Sequence, residues 1–345
     1  MSAVPGMPGT PGTPAGPLPD APSGPFQRVW AALNGRNRSI ALAYVIALAL
    51  FLVTTAFTPG FASPTHIKQL LIEASFIGIV GLGQTFVVIG GGVDLSIPYV
   101  VNAAGIILTI LTAGQNGPLI WVIPILILLA ALVGLINGVG IAVLGISPII
   151  MTLGMNVIVE GALLVYMGGQ QASRAPPLIV EWTFNTIGPV PINTLIWAAL
   201  ALIAAVLLSW TTFGRRLYAL GTSRVVAEFS GVNVVPIMVA TYVICAVAAA
   251  IAGILYTGFV AQPYLGMGDP YLFASVAAVA IGGTPLIGGS GHYSGTIAGA
   301  LILTVLADLL PILNLDPGAL QIIYGVTILL TVAAAIVRFR GAASV

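Results

Sequence analysis

Long apolar stretches alternate with short polar segments along most of the chain. A helix that crosses the hydrocarbon core of a bilayer needs about 20 consecutive, mostly apolar residues. By this length the pattern predicts ten transmembrane helices. Their expected bounds are 39–58, 68–90, 97–113, 118–144, 147–168, 193–212, 235–260, 271–288, 294–312 and 318–337. We therefore expect an all-α polytopic membrane protein.

Glycine interrupts this pattern at two places. The sequence GGGVDLSIP separates the second helix from the third, and the predicted eighth helix is rich in Ala and Gly. Gly282–Gly283 and Gly288–Gly289 lie on either side of Pro285. Because glycine adopts backbone conformations that a helix does not use, we expect some discontinuous or re-entrant segments. Around Pro285 the pattern fits a compact turn or a flexible gate.

The N-terminal residues differ from the rest of the chain. Residues 1–25 are rich in Pro, Gly, Ser and Thr and contain no apolar block, which is typical of disorder. A secretory signal has an apolar core directly after a charged start, whereas here the apolar stretch begins near residue 39. We expect a disordered cytoplasmic tail over 1–38, followed by a transmembrane domain over 39–340.

The composition narrows the class of protein. Hydrophobic residues make up 59% of the chain and charged residues only 6%, against about 25% charged residues in soluble domains. Lipid must therefore cover most of the surface. The one cysteine excludes a disulfide framework, and the isolated His66 and His292 argue against a metal site. The net charge of +1 suggests no nucleic-acid partner.

The positions of the basic residues predict the orientation. Lys and Arg collect in cytoplasmic loops. With ten helices and a cytoplasmic N-terminus, only Lys68 and Arg174 of the ten Lys and Arg residues fall outside. The basic residues on the inner side are Arg28, Arg36, Arg38, Arg215, Arg216, Arg224, Arg338 and Arg340. We therefore expect both termini in the cytoplasm. The long outer loop 169–192 is either a structured surface segment or a plain connector.

The inner loop FGRRLYALGTSRVVAEFSGVN, residues 213–233, concentrates charge in a nearly uncharged chain. Gly221 and Ser223 are expected to divide it into a turn and a short helix, with Ser223 or Thr222 as the N-cap and Gly231 at the C-terminal end. The short helix would present Val225, Val226 and Phe229 on one side and the i, i+4 pair Arg224 and Glu228 on another. Such a helix either lies on lipid or docks a cytoplasmic protein.

This loop resembles the cytoplasmic coupling loop of permease subunits in bacterial ABC importers of the ribose/xylose/galactose/arabinose class. Three other stretches carry the same resemblance, in the same order, between about residues 39 and 340. They are GQTFVVIGGGVDLSIP (83–98), SPIIMTLGMNVIVEGALLVYMGG (147–169) and AVAIGGTPLIGGSGHYSGTIAGALIL (278–303). The chain departs from the usual pattern of this class at Pro98, at Pro285 and at His292-Tyr293.

The resemblance implies an inner-membrane subunit that moves a simple sugar by alternating access and catalyses no reaction itself. It also implies a cytoplasmic ATP-binding subunit, a periplasmic sugar-binding protein and a second permease chain, identical or related. ATP and Mg²⁺ would belong to the ATP-binding subunit, because the only lysine, Lys68, is not in a P-loop motif. The residues that this reading assigns to ATPase coupling are Arg215, Arg224, Val226, Glu228, Phe229 and Gly231.

Polar residues within the apolar stretches are the other functional candidates, because ionisable groups at membrane depth are costly. Asp94 or Ser96 can cap a helix that begins near Pro98; Asp94 could instead contact sugar or form part of a gate. The side chains proposed to line a pathway or gate are Gln84, Asp94, Ser96, Asn102, Asn137, Asn156 and Glu160. Such residues also hold membrane helices together, so both roles remain open.

Two other kinds of protein fit part of the pattern. An ion-coupled secondary carrier for a small polar solute could use Glu73, Glu160 and Asp308 as ion sites. A membrane enzyme would need converging catalytic groups, and the sequence offers no such constellation. Transport that survives ATP depletion while an ion gradient lasts would distinguish the carrier from an ATP-driven importer.

Overall fold

The computed structural model describes residues 35–316 and 318–343, with side chains described from 38 to 333 except at position 317. The expected disordered tail lies outside this part of the chain up to residue 34. The described residues form thirteen helices and one two-stranded antiparallel ribbon, in which Thr186 pairs with Pro191. This is the all-α polytopic architecture that the hydrophobic pattern predicts.

The elements follow one another along the chain with short connections. The helices are α1 (Gly35–Phe57), α2 (Pro64–Ile89), α3 (Ile97–Thr112), α4 (Leu119–Ala142), α5 (Pro148–Met167), α6 (Pro177–Phe184), α7 (Ile192–Trp210), α8 (Thr212–Thr222), α9 (Arg224–Phe229), α10 (Val234–Val260), α11 (Tyr271–Ile281), α12 (Tyr293–Ile312) and α13 (Gly318–Ala343). The strands β1 (Thr186–Ile187) and β2 (Val190–Pro191) lie between α6 and α7.

Seven of the described helices are long and apolar enough to cross a membrane. They are α1, α2, α4, α5, α7, α10 and α12. The helices α3 and α11 contain 16 and 11 residues. At 1.5 Å per residue, α11 extends only about 17 Å, roughly half of a ~30 Å hydrocarbon core. The predicted eighth span, 271–288, is therefore too long: its helix ends at Ile281, and glycine-rich turns follow.

Helix α2 lies at the centre of the molecule. Its side chains from Ala74 to Ile89 are almost all buried, as expected for a helix that is apolar on every side. Helix α10 packs against α2, α3 and α4. Gly134 and Gly138 of α4 permit this approach, because a Cβ atom at Gly138 would lie 2.6 Å from the Cα atom of Val239. The glycine spacing in α4 therefore serves close helix packing.

The segment between α2 and α3 is the break that the sequence GGGVDLSIP predicts. Helix α2 ends at Ile89 with Gly90 as its C-cap, and Gly91 has a φ angle of +84°. Helix α3 then begins at Ile97, with Pro98 in its first turn. Proline suits this position because the first turn of a helix needs no N–H donor from it. The break places Asp94 and Ser96 on non-helical backbone deep inside the protein.

The loop 169–192 is a structured segment, not a plain connector. Helix α6 packs against α10, and the Thr183 hydroxyl donates to the Leu255 carbonyl oxygen at 2.9 Å. Ile179 is fully buried, and Trp182 packs against the main core. These contacts attach the loop to the C-terminal part of α10.

The turns between α11 and α12 are compact. Gly283, Gly288 and Gly289 have positive φ angles, and the Gly289 N–H donates to the Ile89 carbonyl oxygen at 2.9 Å. The unusual pair His292-Tyr293 then starts α12. The His292 ring accepts a hydrogen bond from the Ser294 N–H, and the buried Tyr293 hydroxyl donates to the Gly78 carbonyl oxygen at 2.8 Å. These residues therefore have structural roles at the α2–α12 interface.

Candidate functional site

Helix α9 has defined caps at both ends. The Ser223 hydroxyl oxygen accepts a hydrogen bond from the Val226 N–H at 3.3 Å, so Ser223 is the N-cap and Gly221 remains inside α8. At the other end the Val232 N–H donates to the Ala227 carbonyl oxygen, and the Gly231 N–H donates to the Glu228 carbonyl oxygen. Gly231 has a φ angle of +78°. This pair of bonds is a Schellman motif, which confirms the predicted glycine cap.

The surface of α9 is apolar and exposed. We call the side chains of Val225, Val226 and Phe229 the α9 face; they are 60%, 63% and 87% exposed. Ala227 is the one buried residue of this helix. Large apolar side chains that project from a loop mark interaction or membrane-binding surfaces when they are contiguous. The described contacts therefore leave the α9 face available to a partner or to lipid.

The charged residues of α9 form a separate edge beside this face. Arg224 and Glu228 make an i, i+4 ion pair with a distance of 3.0 Å between Nε and Oε1, and both side chains are about half exposed. Arg224 Nη2 also donates to the Ala142 carbonyl oxygen at 3.2 Å, at the end of α4. The preceding helix α8 buries Leu217 and Leu220 and exposes Arg215. Thus α8 packs into the core through its buried leucines, and α9 follows it on the exposed surface.

A second group of predicted residues meets inside the protein. Gln84, Asp94, Ser96 and Asn137, here called the Asp94 network, are each at most 1% exposed. Asp94 Oδ1 accepts hydrogen bonds from the Ser96 N–H at 2.9 Å and the Ser96 hydroxyl at 2.6 Å. Asn137 Nδ2 donates to the Ser96 hydroxyl oxygen at 2.9 Å, and the Asp94 N–H donates to Gln84 Oε1 at 3.4 Å. The network therefore joins α2, α3 and α4.

The prediction that Asp94 or Ser96 caps α3 is only partly correct. Ser96 precedes α3 but its side chain does not cap the helix. Instead it bonds to Asp94, whose carboxylate accepts the N–H two residues ahead and so fixes the turn that leads into α3. Asp94 is thus a turn-stabilising residue rather than the N-cap.

Three residues of this region were missed by the sequence reasoning. The Thr152 hydroxyl accepts the Leu95 N–H at 3.0 Å, and Cys245 Sγ lies 3.9 Å from Gln84 Oε1. The Tyr242 hydroxyl lies beside Gly92. None of these carries a local signal, since Thr, Cys and Tyr are ordinary residues of apolar helices. Several buried polar atoms of the region have no described partner: Asp94 Oδ2, Gln84 Nε2, Asn137 Oδ1 and the Tyr242 hydroxyl.

The other predicted pathway residues do not belong to this network. Asn102 Oδ1 accepts the Gly268 N–H at 2.9 Å, which ties α3 to the loop before α11. Glu160 lies within hydrogen-bonding reach of Tyr99. Partial burial, together with the nearby Glu160 carboxylate, raises the pKa of Asp269 in the same loop. Asn156 is half-buried, and its Oδ1 atom has no described partner. The seven residues therefore form no single line of contacts.

A cavity of about 290 Å³ lies near the C-terminal end of α10, whereas α9 precedes the N-terminal end of that helix. We call it the outer cavity, after the side on which the predicted orientation would place it; its lining includes Glu73, Thr304, Tyr256, Tyr271 and Tyr324. The sequence identifies Glu73 as an ionisable residue at membrane depth. It gives no comparable signal for the three tyrosines. The tyrosines come from α10, α11 and α13, so only the helix packing brings them together.

Comparison with known proteins identifies the family. Residues 66–332 match the family described as branched-chain amino acid transport system / permease component. The ribose import permease protein of Escherichia coli K12 is 31% identical over 314 residues, which cover 89% of this chain and 94% of that protein. The galactose/methyl galactoside import permease protein of the same strain is 30% identical, covering 84% and 92%.

A further relative is the autoinducer 2 import system permease protein of Photorhabdus laumondii, which is 29% identical and covers 74% of this chain and 80% of that protein. No solved structure matches the chain. The chain belongs to the branched-chain amino acid transport system / permease component family, and is a multi-pass protein of the bacterial inner membrane.

Proposed function

We propose that this member of the permease-component family is the membrane subunit of an ABC importer that carries a simple sugar of the pentose or hexose type. Relatives named as ribose and galactose import permeases, similar over most of the chain, support the substrate class. The α9 face supports ATP as the energy source. It is an exposed apolar helix surface that can dock into a groove on a separate ATP-binding subunit. This exposed face is the observation that carries the proposal.

The contacts of α9 suggest how docking reaches the membrane interior. Arg224 joins α9 to the last residue of α4, Ala142. Further along α4, Asn137 donates to Ser96 in the Asp94 network. A displacement of α9 by ATP-driven closure would therefore move α4 relative to the break between α2 and α3. In this mechanism the Asp94 network is part of the gate for alternating access.

The proposed assembly needs other chains. ATP and Mg²⁺ would bind to the ATP-binding subunit, and a periplasmic sugar-binding protein would deliver the substrate. A second permease chain, identical or related, would complete the pathway. This chain is a transporter component and carries out no covalent chemistry in the proposal.

An ion-coupled carrier is the rival that the sequence left open. Of its proposed ion sites, Glu73 and Asp308 lie within hydrogen-bonding reach of each other, whereas Glu160 contacts Tyr99 instead. The family and the relatives are permease components of transport systems. A carrier that acts alone is therefore not favoured.

The deciding experiment reconstitutes the full chain with its ATP-binding subunit and sugar-binding protein in proteoliposomes. We expect uptake of radiolabelled sugar that requires ATP and is unaffected by ionophores. Uptake that continues without ATP while a proton or sodium gradient lasts would contradict the proposal and favour the carrier.

A further inference from the structure

Aromatic rings form part of the wall of the outer cavity, beside aliphatic residues such as Ile77 and Leu320. The Phe76 and Tyr256 ring centroids are 5.1 Å apart, and those of Tyr256 and Tyr271 are 5.5 Å apart in an edge-on arrangement. Phe259 packs against the same cluster, at 5.5 Å from Phe76. Such walls offer flat apolar faces within a small space.

Polar groups converge on the same space. Glu73 lines the cavity, and its carboxylate lies within electrostatic range of the Tyr256 and Tyr271 hydroxyls. The described residues provide no hydrogen-bond partner for the hydroxyls of Tyr256, Tyr271 and Tyr324. Each hydroxyl can donate and accept, and an ionised carboxylate accepts only. The cavity thus holds unused hydrogen-bonding capacity.

Neighbouring polar side chains outside the cavity lining contact Glu73. Gln69 Nε2 donates to Glu73 Oε1 at 3.0 Å. The Asp308 carboxyl lies within reach of Glu73, and His66 Nε2 lies 3.5 Å from Asp308 Oδ2. These contacts hold a carboxyl group in the same cavity lining as the aromatic rings, and ionisable groups at membrane depth are costly.

A second cavity provides a contrast. It measures about 230 Å³, lies between α2, α7 and α10, and is lined by apolar side chains such as Leu82, Phe86 and Leu200. An acyl chain would suit that lining. The Glu73 carboxyl group in the lining of the outer cavity instead disfavours a hydrocarbon occupant, because a polar group buried against an acyl chain loses its hydrogen bonds.

Size and position restrict the occupant further. The volume of about 290 Å³ lies at the lower limit of the ~300–1,000 Å³ typical of small-molecule sites, which suits a single sugar ring rather than a disaccharide. Phe259 lies in the last turn of α10, whereas α9 precedes the first turn of that helix. If α9 docks the ATP-binding subunit, the cavity lies near the end of α10 on the side from which an importer receives its substrate.

We infer that the outer cavity is a monosaccharide-binding site within a single permease chain, with Glu73 and the Tyr256, Tyr271 and Tyr324 hydroxyls binding the sugar hydroxyl groups. The aromatic rings would cover the apolar faces of the sugar ring. This inference rests on the proposed function for its substrate class. It adds a binding site at which the sugar is held before it moves inward.

The test is cysteine protection in the full chain, purified in lipid nanodiscs without ATP or partner subunits. Cys245 is fully buried, so the parent should give little labelling. Ala307→Cys places a thiol on the cavity wall, and Gln171→Cys places a control thiol on the exposed outer loop. A membrane-impermeant thiol reagent is applied with increasing D-ribose, D-xylose, D-galactose or L-arabinose.

We expect at least one of the four sugars to slow labelling of Ala307→Cys by about threefold once its concentration reaches about twice its Kd. Labelling of Gln171→Cys should not change. In the Ala307→Cys background, Glu73→Gln should raise the Kd by about tenfold and Tyr256→Phe by about threefold. Glu181→Gln and Tyr166→Phe are matched controls outside the cavity and should leave the Kd unchanged.

Two results would overturn the inference: no protection by any of the four sugars, or protection that Glu73→Gln and Tyr256→Phe leave intact. Both readouts need no ATP, so they are separate from the uptake assay. ATP-dependent uptake without sugar protection of Ala307→Cys would contradict the cavity site but not the proposed function. Protection without ATP-dependent uptake would remove the importer proposal and leave a sugar-binding membrane protein.

Discussion

The α9 face and the Asp94 network depart from the usual distribution of side chains in opposite directions. At the α9 face, Val226 and Phe229 are apolar and exposed at the end of the helix bundle. In the Asp94 network, Asp94 and Asn137 are polar and fully enclosed by helices. Buried polar groups and exposed apolar patches are the informative exceptions in any protein.

The Asp94 network and the α9 face differ in the contacts that the rest of the chain makes with them. Asp94 Oδ1 finds both of its donors within the chain, on Ser96. Phe229 finds no comparable cover among the described residues, at 87% exposure. Altering the Asp94 network, whose hydrogen bonds fix the turn between α2 and α3, should therefore affect folding. Altering the α9 face, which the described residues leave uncovered, should affect assembly.

Cysteines placed at the two ends of the helix bundle should differ completely in their labelling by a membrane-impermeant thiol reagent. Arg174→Cys lies on the loop before α6 and Arg216→Cys on α8, and both positions are exposed. If the Lys and Arg bias sets the orientation, a membrane-impermeant reagent applied to intact spheroplasts should label only Arg174→Cys. Permeabilised cells provide the control, in which both should react. Equal labelling in intact spheroplasts would contradict the predicted topology.

Asp94→Leu should have the largest effect on folding. It leaves the Ser96 N–H and hydroxyl without their acceptor, at roughly 1–3 kcal/mol for each buried group. We expect a sharp fall in monodisperse protein by size-exclusion chromatography. Asp94→Asn is the matched control, because its amide oxygen still accepts, and it should retain most protein and transport. If Asn were as harmful as Leu for transport at normal yield, the negative charge itself would be required.

Phe229→Ala should affect assembly and leave folding intact. Truncating a central apolar anchor of an interface costs about 2 kcal/mol or more, or roughly 30-fold in affinity. We expect that loss when the purified permease is titrated with its ATP-binding subunit. Phe57→Ala is the matched control, since Phe57 is 84% exposed at the C-terminal end of α1. Unchanged affinity of Phe229→Ala would show that the α9 face rests on lipid.

Gly231→Trp tests the same surface through the backbone. A tryptophan at a φ angle of +78° strains the turn by about 1 kcal/mol or more and should redirect α9 without touching the buried core. Substrate-stimulated ATP hydrolysis should fall while the yield of inserted protein stays near that of the parent. Parental coupling in this variant would indicate that the orientation of α9 is unimportant.

Arg224→Ala should have the smallest effect of the set on the affinity for the ATP-binding subunit. Exposed ion pairs contribute only about 0.2–1 kcal/mol, and the pair with Glu228 is about half exposed. A double-mutant cycle with Glu228→Gln in the same titration should return a coupling energy in that range, lower at high salt. An effect larger than that of Phe229→Ala would mean that charge, rather than the apolar face, controls docking.

Several local features could be read from the sequence because each depends on neighbouring residues only. Ser223 and Gly231 mark the ends of α9, since caps act within one turn of a helix. Pro98 marks the start of α3 for the same reason. The predicted span 271–288 extended past the end of α11, because its apolar composition continues through Gly282, Gly283 and Pro285, where the backbone forms turns.

The sequence by itself determined the all-α membrane architecture and the exposed helix α9. Both follow from the length of apolar stretches and from local capping, which a bilayer and a single helical turn impose without reference to distant residues. Only the tertiary structure decided that Gln84 meets Cys245, 161 residues away, and that Tyr256, Tyr271 and Tyr324 surround Glu73. The composition of an apolar helix predicts that the helix is buried, but it does not specify which neighbouring helix it contacts.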